Sequence, residues 1–286
     1  MNRNFGFLTS FLTRLPFDFK PKNCAGISHG CKQIQRLGDH REGIRVQGEW
    51  YCSASCFERG TLALLSKLER SHFRRSITHR LPLGLVLLSS GSITHQQLSQ
   101  ALTAQRSAGK GRVGEWLQRS GAANEHDVTR ALSQQWACPV LRSFPFNQQA
   151  ASLLPLHLME WHRMVLFQYA AATKTAYVAF SEQVDYPVLG AIENVLECRA
   201  EPCLIVPSEM ERKMDELRKV SSKREVVFER LHNRQEIAAI LRSYALEVQA
   251  NAARISRCGD YIWARLFAHQ IMDILLRIPA LTARSE

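Results

Sequence analysis

Four cysteines near the start of the chain have a spacing that suits a metal site. Cys24 and Cys31 form one pair, and Cys52 and Cys56 form a second pair after an interval of 20 residues. Four thiolates can close a tetrahedral zinc site, which can fold a segment too small for its own core. The sequence therefore predicts a zinc site with these four ligands, with His29 as an alternative to Cys31. The other interpretation is an unstructured extension whose cysteines bind no metal.

The remaining cysteines are scattered over predicted core elements, where they are expected to act as small buried hydrophobic residues. They are Cys138, Cys198, Cys203 and Cys258. The N-terminus has no pattern of an export signal, and no apolar stretch approaches the ~20 residues of a membrane span. We therefore expect a cytoplasmic protein without a membrane span, whose cysteines are metal ligands or buried thiols and not disulfides.

An internal repeat with a spacing of 30 residues lies in the middle of the chain. Its copies are PLGLVLLSSGSITHQQLSQALTAQ at residues 82–105 and RVGEWLQRSGAANEHDVTRALSQQ at residues 112–135. The positions that recur are Gly84, Leu87, Ser90, Gly91, Ala101, Leu102 and Gln105, which match Gly114, Leu117, Ser120, Gly121, Ala131, Leu132 and Gln135, while Leu98 matches Val128.

Each copy is predicted to form a helical hairpin. A glycine that accepts the left-handed conformation ends the short first helix. Thr94 and Gln97 form a capping box that opens the second helix of the first copy, and Asn124 and Asp127 occupy the same positions in the second copy. On these features alone, the repeat is a packed four-helix unit in which glycines cap helices and leucines fill the core.

The detailed pattern resembles the MshEN-type N-terminal domain of type II secretion and type IV pilus assembly ATPases. That domain binds cyclic di-GMP through a tandem motif of this form, so the resemblance implies a cyclic di-GMP site over residues 81–141. The positions that match the family motif are Leu83, Gly84, Leu87, Leu88, Gly91, Leu98, Leu102 and Gln105 in the first copy, and Arg112, Gly114, Leu117, Gly121, Val128, Leu132 and Gln135 in the second.

Two departures from the family pattern leave the ligand open. Pro82 stands where the family has arginine, and Arg80 lies two residues earlier. Gln118, Ala122 and Ala123 stand where larger apolar residues are usual. The sequence is therefore compatible with a nucleotide-binding domain, in which Arg112 makes a forked contact to a base or a phosphate, and with a domain that acts only as a scaffold.

The resemblance continues through residues 142–220. The segments that follow the family are Leu154-Pro155, 164–168, 177–180, 187–196, 202–206 and 209–217. They imply a β-hairpin with Lys174 in its turn, then a helix, a strand and a final helix. Ser208 and Glu211 are predicted to form the capping box of that last helix.

The whole chain is expected to have an α+β fold. The predicted segments are a flexible N-terminus (1–22), a cysteine cluster that binds zinc (23–58), a linker (59–80), the helical repeat subdomain (81–141), a small α/β subdomain (142–220) and a C-terminal helix and β-hairpin module (225–286). In the last segment, Gly259-Asp260 is predicted to form the hairpin turn, with Arg254 and Arg265 on strands.

The net charge of +11 and the pI of about 9.5 favour an anionic partner. Together with the cysteines and the arginines of 70–80, they allow a zinc-ribbon protein that binds nucleic acid. The arginines are spread over the whole chain and no recognition helix carries clustered base-reading side chains, so nucleic acid is the less favoured partner.

The sequence predicts no catalysis. A phosphate-cradling GxxxxGK loop followed by serine or threonine is absent from these 286 residues, and no nucleophile and base have a recognisable spacing. The resemblance thus implies a non-catalytic type II secretion system protein E N-terminal-domain protein, a regulator or adaptor of secretion or pilus assembly components. The alternatives are the nucleic-acid-binding protein and a ligand-free docking scaffold derived from a secretion ATPase.

Overall fold

The computed structural model describes residues 22–26, 30–35, 43–72, 80–145, 147–220 and 225–279. The predicted flexible N-terminus and His29 lie outside these residues, apart from Lys22. The helices are α1 (Ala54–His72), α2 (Leu83–Ser89), α3 (His95–Ala108), α4 (Val113–Arg119), α5 (Glu125–Trp136), α6 (Gln148–Ala151), α7 (Leu156–Trp161), α8 (Tyr186–Leu196), α9 (Pro207–Val220) and α10 (Arg234–Glu247).

The strands form three sheets. They are β1 (Lys22–Asn23), β2 (Ile34–Gln35), β3 (Ile44–Val46), β4 (Glu49–Tyr51), β5 (Met164–Ala170), β6 (Thr175–Phe180), β7 (Arg199–Leu204), β8 (Glu225–Phe228), β9 (Ala252–Cys258), β10 (Tyr261–Phe267) and β11 (Met272–Arg277). The strand orders are β1-β2, β5-β6-β7 and β4-β3-β9-β10-β11-β8. The α+β class predicted from the sequence is confirmed.

The repeat folds into two helical hairpins, α2–α3 and α4–α5. Gly91 (φ +69°) and Gly121 (φ +70°) follow the short helices in the left-handed conformation. Thr94 and Asn124 cap the long helices, each in a complete capping box with the residue three positions on. The hairpins are interlocked, because α2 packs on α5 and α3 packs on α4.

The α/β subdomain has the predicted order of hairpin, helix, strand and helix in β5, β6, α8, β7 and α9. Lys174 lies in the hairpin turn with a positive φ of 50°. The predicted capping box of α9 is wrong, because the helix already begins at Pro207. The Ser208 hydroxyl instead donates to Glu125 Oε1 at 2.6 Å, and Glu211 pairs with Arg163. A carboxylate from α5 therefore lies at the start of α9.

The six-stranded sheet joins the two ends of the described chain. Strand β3 pairs in parallel with β9, so the cysteine-containing segment adds two strands to the C-terminal module. The predicted linker over 59–80 is wrong for residues 59–72, which belong to α1 and pack against α10. Phe57 and Leu65 of α1 are buried in the core of this module. Segments 23–58 and 225–286, which were predicted separately, thus share one sheet.

The two faces of this sheet contact different partners. Ile262, Ala264 and Leu266 of β10 belong to the core under α1 and α10. The alternate residue Trp263 belongs to the core of the α/β subdomain, and Trp161 stacks on Tyr261 with a centroid distance of 3.9 Å. The sheet is therefore buried between two helices and the α/β subdomain. In the described residues, every helix is too short or too polar to serve as a transmembrane span.

Candidate functional site

The four predicted zinc ligands lie together. The Sγ atoms of Cys24, Cys31, Cys52 and Cys56 all lie within 4.8 Å of one another. The Cys31–Cys52 and Cys52–Cys56 sulfur distances are 3.5 and 3.7 Å. Tetrahedral coordination with Zn–S bonds of ~2.3 Å requires sulfurs about 3.8 Å apart, whereas a disulfide requires about 2.05 Å. The cluster therefore has the dimensions of a four-thiolate zinc site and not of a disulfide.

Two short segments position these sulfurs. Cys24 follows β1 and Cys31 precedes β2, while Cys52 follows β4 and Cys56 lies in the first turn of α1. The backbone N–H groups of Gly26 and Cys52 each lie 3.4 Å from the Cys24 sulfur. Donors of this kind stabilise a thiolate, which is the form that binds a metal.

Without a metal, the pKa values of the cluster thiols are shifted in different directions. Burial, together with the neighbouring sulfurs, raises the pKa of the Cys52 thiol to about 12. Burial also raises the pKa of Cys24, while a backbone hydrogen bond at Gln33 lowers the pKa of Cys31. Four crowded thiolates are unfavourable without a cation, and a bound Zn²⁺ deprotonates its thiol ligands. The residues thus fit zinc.

The other four cysteines do not belong to the cluster. Cys138, Cys203 and Cys258 are buried, as predicted, and Cys198 is half-buried. Burial raises the pKa of Cys138 and Cys198 to about 11 and that of Cys203 to about 12. Thiols with such pKa values are poor nucleophiles at neutral pH.

Several motif residues that were predicted to contact the ligand lie in the core of the helical repeat. Leu87 and Leu117 have no exposed surface, and Val128 is 7% exposed. They belong to the core of the helical repeat with Val86 and Ile93. These side chains therefore fill the core of the hairpins, as the packed four-helix interpretation expects, and their contact with a ligand stays a prediction.

The motif glycines allow helices to approach closely. A Cβ on Gly84 would lie 2.7 Å from Leu98 Cδ1. A Cβ on Gly114 would lie 3.1 Å from Val128 and 3.2 Å from Leu83 of the other repeat. Gly84 and Gly114 are themselves buried. The contact of Leu83 with Gly114 brings the starts of the two short helices together.

The two motif glutamines make equivalent contacts across the repeat. The Gln105 side-chain amide donates to the Gly111 carbonyl at 2.8 Å, just before α4. The Gln135 amide donates to the Leu81 carbonyl at 2.7 Å, just before α2. Each repeat therefore holds the start of the other repeat's short helix, and both amide nitrogens are committed to the backbone.

The motif-initial positions differ between the repeats. Arg112 is the N-cap residue of α4, and its exposed guanidinium donates through Nη1 to Glu182 Oε2 at 2.7 Å. Pro82 is the exposed N-cap residue of α2, not its first helical residue. The Arg80 guanidinium carbon lies 3.5 Å from the centroid of the Trp136 ring. Arg80 thus has a contact of its own and does not stand in for an arginine at position 82.

The predicted ligand residues with exposed or half-buried positions are Leu83, Leu88, Gly91, Leu98, Leu102, Gln105, Arg112, Gly121, Leu132 and Gln135. Sequence reasoning missed Glu182, which pairs with both Arg112 and Arg163, and Trp136, on whose ring the Arg80 guanidinium lies. No motif could reveal them, because they lie outside the matched positions and these contacts form only in the folded chain.

Residues 81–220 thus form two tandem helical hairpins followed by a small α/β unit. Comparison with protein families finds no match, and comparison with curated proteins finds none either. Among solved structures, the chain is similar to MshE with cdg, at 26% identity and a TM-score of 0.43, over 48% of this chain and 99% of that one. It is also similar to the N-terminal domain of XpsE, at 13% identity and a TM-score of 0.37, over 47% and 92%. These neighbours are of the kind that the repeat was predicted to resemble.

Proposed function

We propose that this chain is a non-catalytic regulator or adaptor of secretion or pilus machinery whose residues 81–220 bind cyclic di-GMP. The observation that carries the proposal is the pairing of the two motifs, in which the starts of α2 and α4 meet at Leu83 and Gly114. Cyclic di-GMP has two equivalent halves, and two equivalent hairpins offer matching contacts. Arg112 supplies the charged, forked donor for a phosphate or a base edge.

We further propose that Cys24, Cys31, Cys52 and Cys56 hold one structural zinc ion. All four positions are protein thiolates, so the site leaves no open position for a substrate. Its place at the start of α1 and beside β4 gives it a role in folding the cysteine-containing segment onto the sheet. A docking scaffold without a ligand is the outcome if cyclic di-GMP does not bind.

Replacing Arg112 by alanine is expected to weaken cyclic di-GMP binding about tenfold to a hundredfold, the range of one lost charge-assisted contact. Stability should change little, since the exposed pair with Glu182 is worth at most about 1 kcal/mol. Pro82→Arg is expected to tighten binding, because position 82 is an exposed N-cap like position 112. Titration calorimetry of the full chain measures both effects.

The matched control is Arg119→Ala, an arginine at the end of the same helix. It should bind like the wild type, since its guanidinium lies over Trp116 and not at the motif start. Absence of binding by both the wild type and Pro82→Arg would leave the domain a scaffold and end the nucleotide proposal.

ATP hydrolysis is expected to stay at background, alone or with secretion components. The run Gly109-Lys110-Gly111 is the turn between the hairpins, where Gly109 ends α3 and the Lys110 carbonyl accepts from the Trp116 indole. Phosphate release by the purified chain measures this, with Lys110→Ala as the comparison. Turnover that copurifies with the chain and disappears in Lys110→Ala would contradict the non-catalytic assignment.

A further inference from the structure

Glu182 lies between two arginines from different parts of the chain. Its Oε2 accepts from Arg112 Nη1 at 2.7 Å, and its Oε1 lies 3.3 Å from Arg163 Nε. Arg112 belongs to the helical repeat, whereas Arg163 lies between α7 and β5 of the α/β subdomain. The two guanidinium groups therefore converge on a single carboxylate.

Arg163 is held in place but has an unused donor. Its backbone has a φ of +45°, and its carbonyl accepts from the Ser181 backbone N–H. Its Nη2 donates to Glu211 at 2.5 Å, which fixes one side of the guanidinium. Its Nε is buried and has no hydrogen-bond partner, although the Glu182 carboxylate is near. A buried N–H without an acceptor is costly, and an anion that accepts from it would remove that cost.

We propose that Arg163 is a second phosphate-binding residue of the cyclic di-GMP site, and that Glu182 occupies the phosphate position when no ligand is bound. This inference rests on the proposed function. A carboxylate and a phosphate diester each present two anionic oxygens, so the phosphate takes over the contacts of Oε1 and Oε2. Glu182 is 38% exposed and can turn to solvent when it is displaced.

Binding would then exchange one link between the two subdomains for another. In the free chain the link is Arg112–Glu182, an exposed ion pair that costs little to break. In the bound chain the link is the phosphate, which contacts Arg112 and Arg163 at once. Glu182 therefore acts as an internal competitor that lowers the affinity for the ligand and selects for a phosphate that engages both arginines.

The test is titration calorimetry of the full chain with cyclic di-GMP. Glu182→Gln keeps the shape of the side chain and removes its charge, so it should tighten binding about threefold to fivefold, the range of an exposed ion pair. Arg163→Gln should weaken binding about tenfold or more, as expected for a lost charge-assisted contact. Arg119→Gln, on the same helix as Arg112, is the control for net charge and should leave the affinity unchanged.

A double variant separates competition from a structural effect. In Arg112→Ala, the gain from Glu182→Gln should shrink, because one of the two competing contacts is already gone. If Arg112→Ala weakens binding while Arg163→Gln and Glu182→Gln leave it unchanged, Arg163 is not part of the site and only this inference falls. If the wild type, Glu182→Gln and Pro82→Arg all fail to bind, the proposed function and this inference fall together.

Discussion

A chain with Cys52 replaced by serine is expected to lose its metal and much of the stability of its six-stranded sheet. Cys52 is the central sulfur of the cluster, with neighbours at 3.5 and 3.7 Å. Structural zinc has apparent binding free energies of about 10–16 kcal/mol in small zinc modules, and this energy is also folding energy. The effect should therefore exceed that of any other single substitution proposed for this chain.

The loss of structure in Cys52→Ser should begin in the cysteine-containing segment. The segment from β3 to α1 is expected to depend on the metal, and it contributes Phe57 and Leu65 to the core under α10. New protease cleavage should therefore appear within residues 43–72, while the helical repeat stays protected. Metal analysis should find about one zinc per wild-type chain, and thermal unfolding should show a lower midpoint for Cys52→Ser.

Cys198→Ser is the matched control, because Cys198 is a half-buried cysteine outside the cluster. It should keep the zinc and the protease pattern of the wild type. Wild-type protein that is free of metal and has the same cleavage pattern as Cys52→Ser would contradict the zinc site.

Replacing Asp273 by alanine is expected to lower the free energy of unfolding by about 3–5 kcal/mol, the range for removing one partner of a buried ion pair. Asp273 pairs with Arg265 on the neighbouring strand, and each side chain is 2% exposed. Asp273 also accepts from the Trp263 indole at 2.9 Å. The substitution leaves the Arg265 guanidinium buried without an anion, bonded only to the Leu153 carbonyl at 2.7 Å.

Denaturant unfolding measures this difference, and Glu58→Ala is its control. Glu58 pairs with Arg242 at 2.9 Å on the exposed side of α1 and α10, where a pair is worth at most about 1 kcal/mol. The double variant Arg265→Met/Asp273→Leu should recover most of the lost free energy of unfolding, because an apolar pair leaves no buried charge without a partner. Equal effects of Asp273→Ala and Glu58→Ala would show that burial does not govern the stability of this pair.

Features set by neighbours in the sequence were predicted well. Both capping boxes, the left-handed glycines after α2 and α4, and the Gly259 turn follow from contacts within a few residues. The grouping of the four N-terminal cysteines was also predicted, because four thiols can close one tetrahedral metal site. The two helical hairpins of the central domain followed from the repeat, since the same residue pattern occurs in both copies.

Features set by distant neighbours were not predicted. The capping box at Ser208 fails because Glu125, 83 residues away, supplies the carboxylate. Residues 59–72 of α1 were assigned to a linker because nothing in their sequence shows that α10 packs against them. The motif leucines were predicted both as core residues and as ligand contacts, and packing places Leu87 and Leu117 in the core.

The sequence by itself determined the helical hairpins, their caps, the paired glycines and the composition of the cysteine cluster, because each depends on residue types at fixed short spacing. Only the tertiary structure decided that the cysteine segment adds two strands to the C-terminal sheet and that Glu182 lies between Arg112 and Arg163. The physical reason is that strand pairing, burial and ion pairing join residues far apart in the chain, and no local spacing encodes those partners.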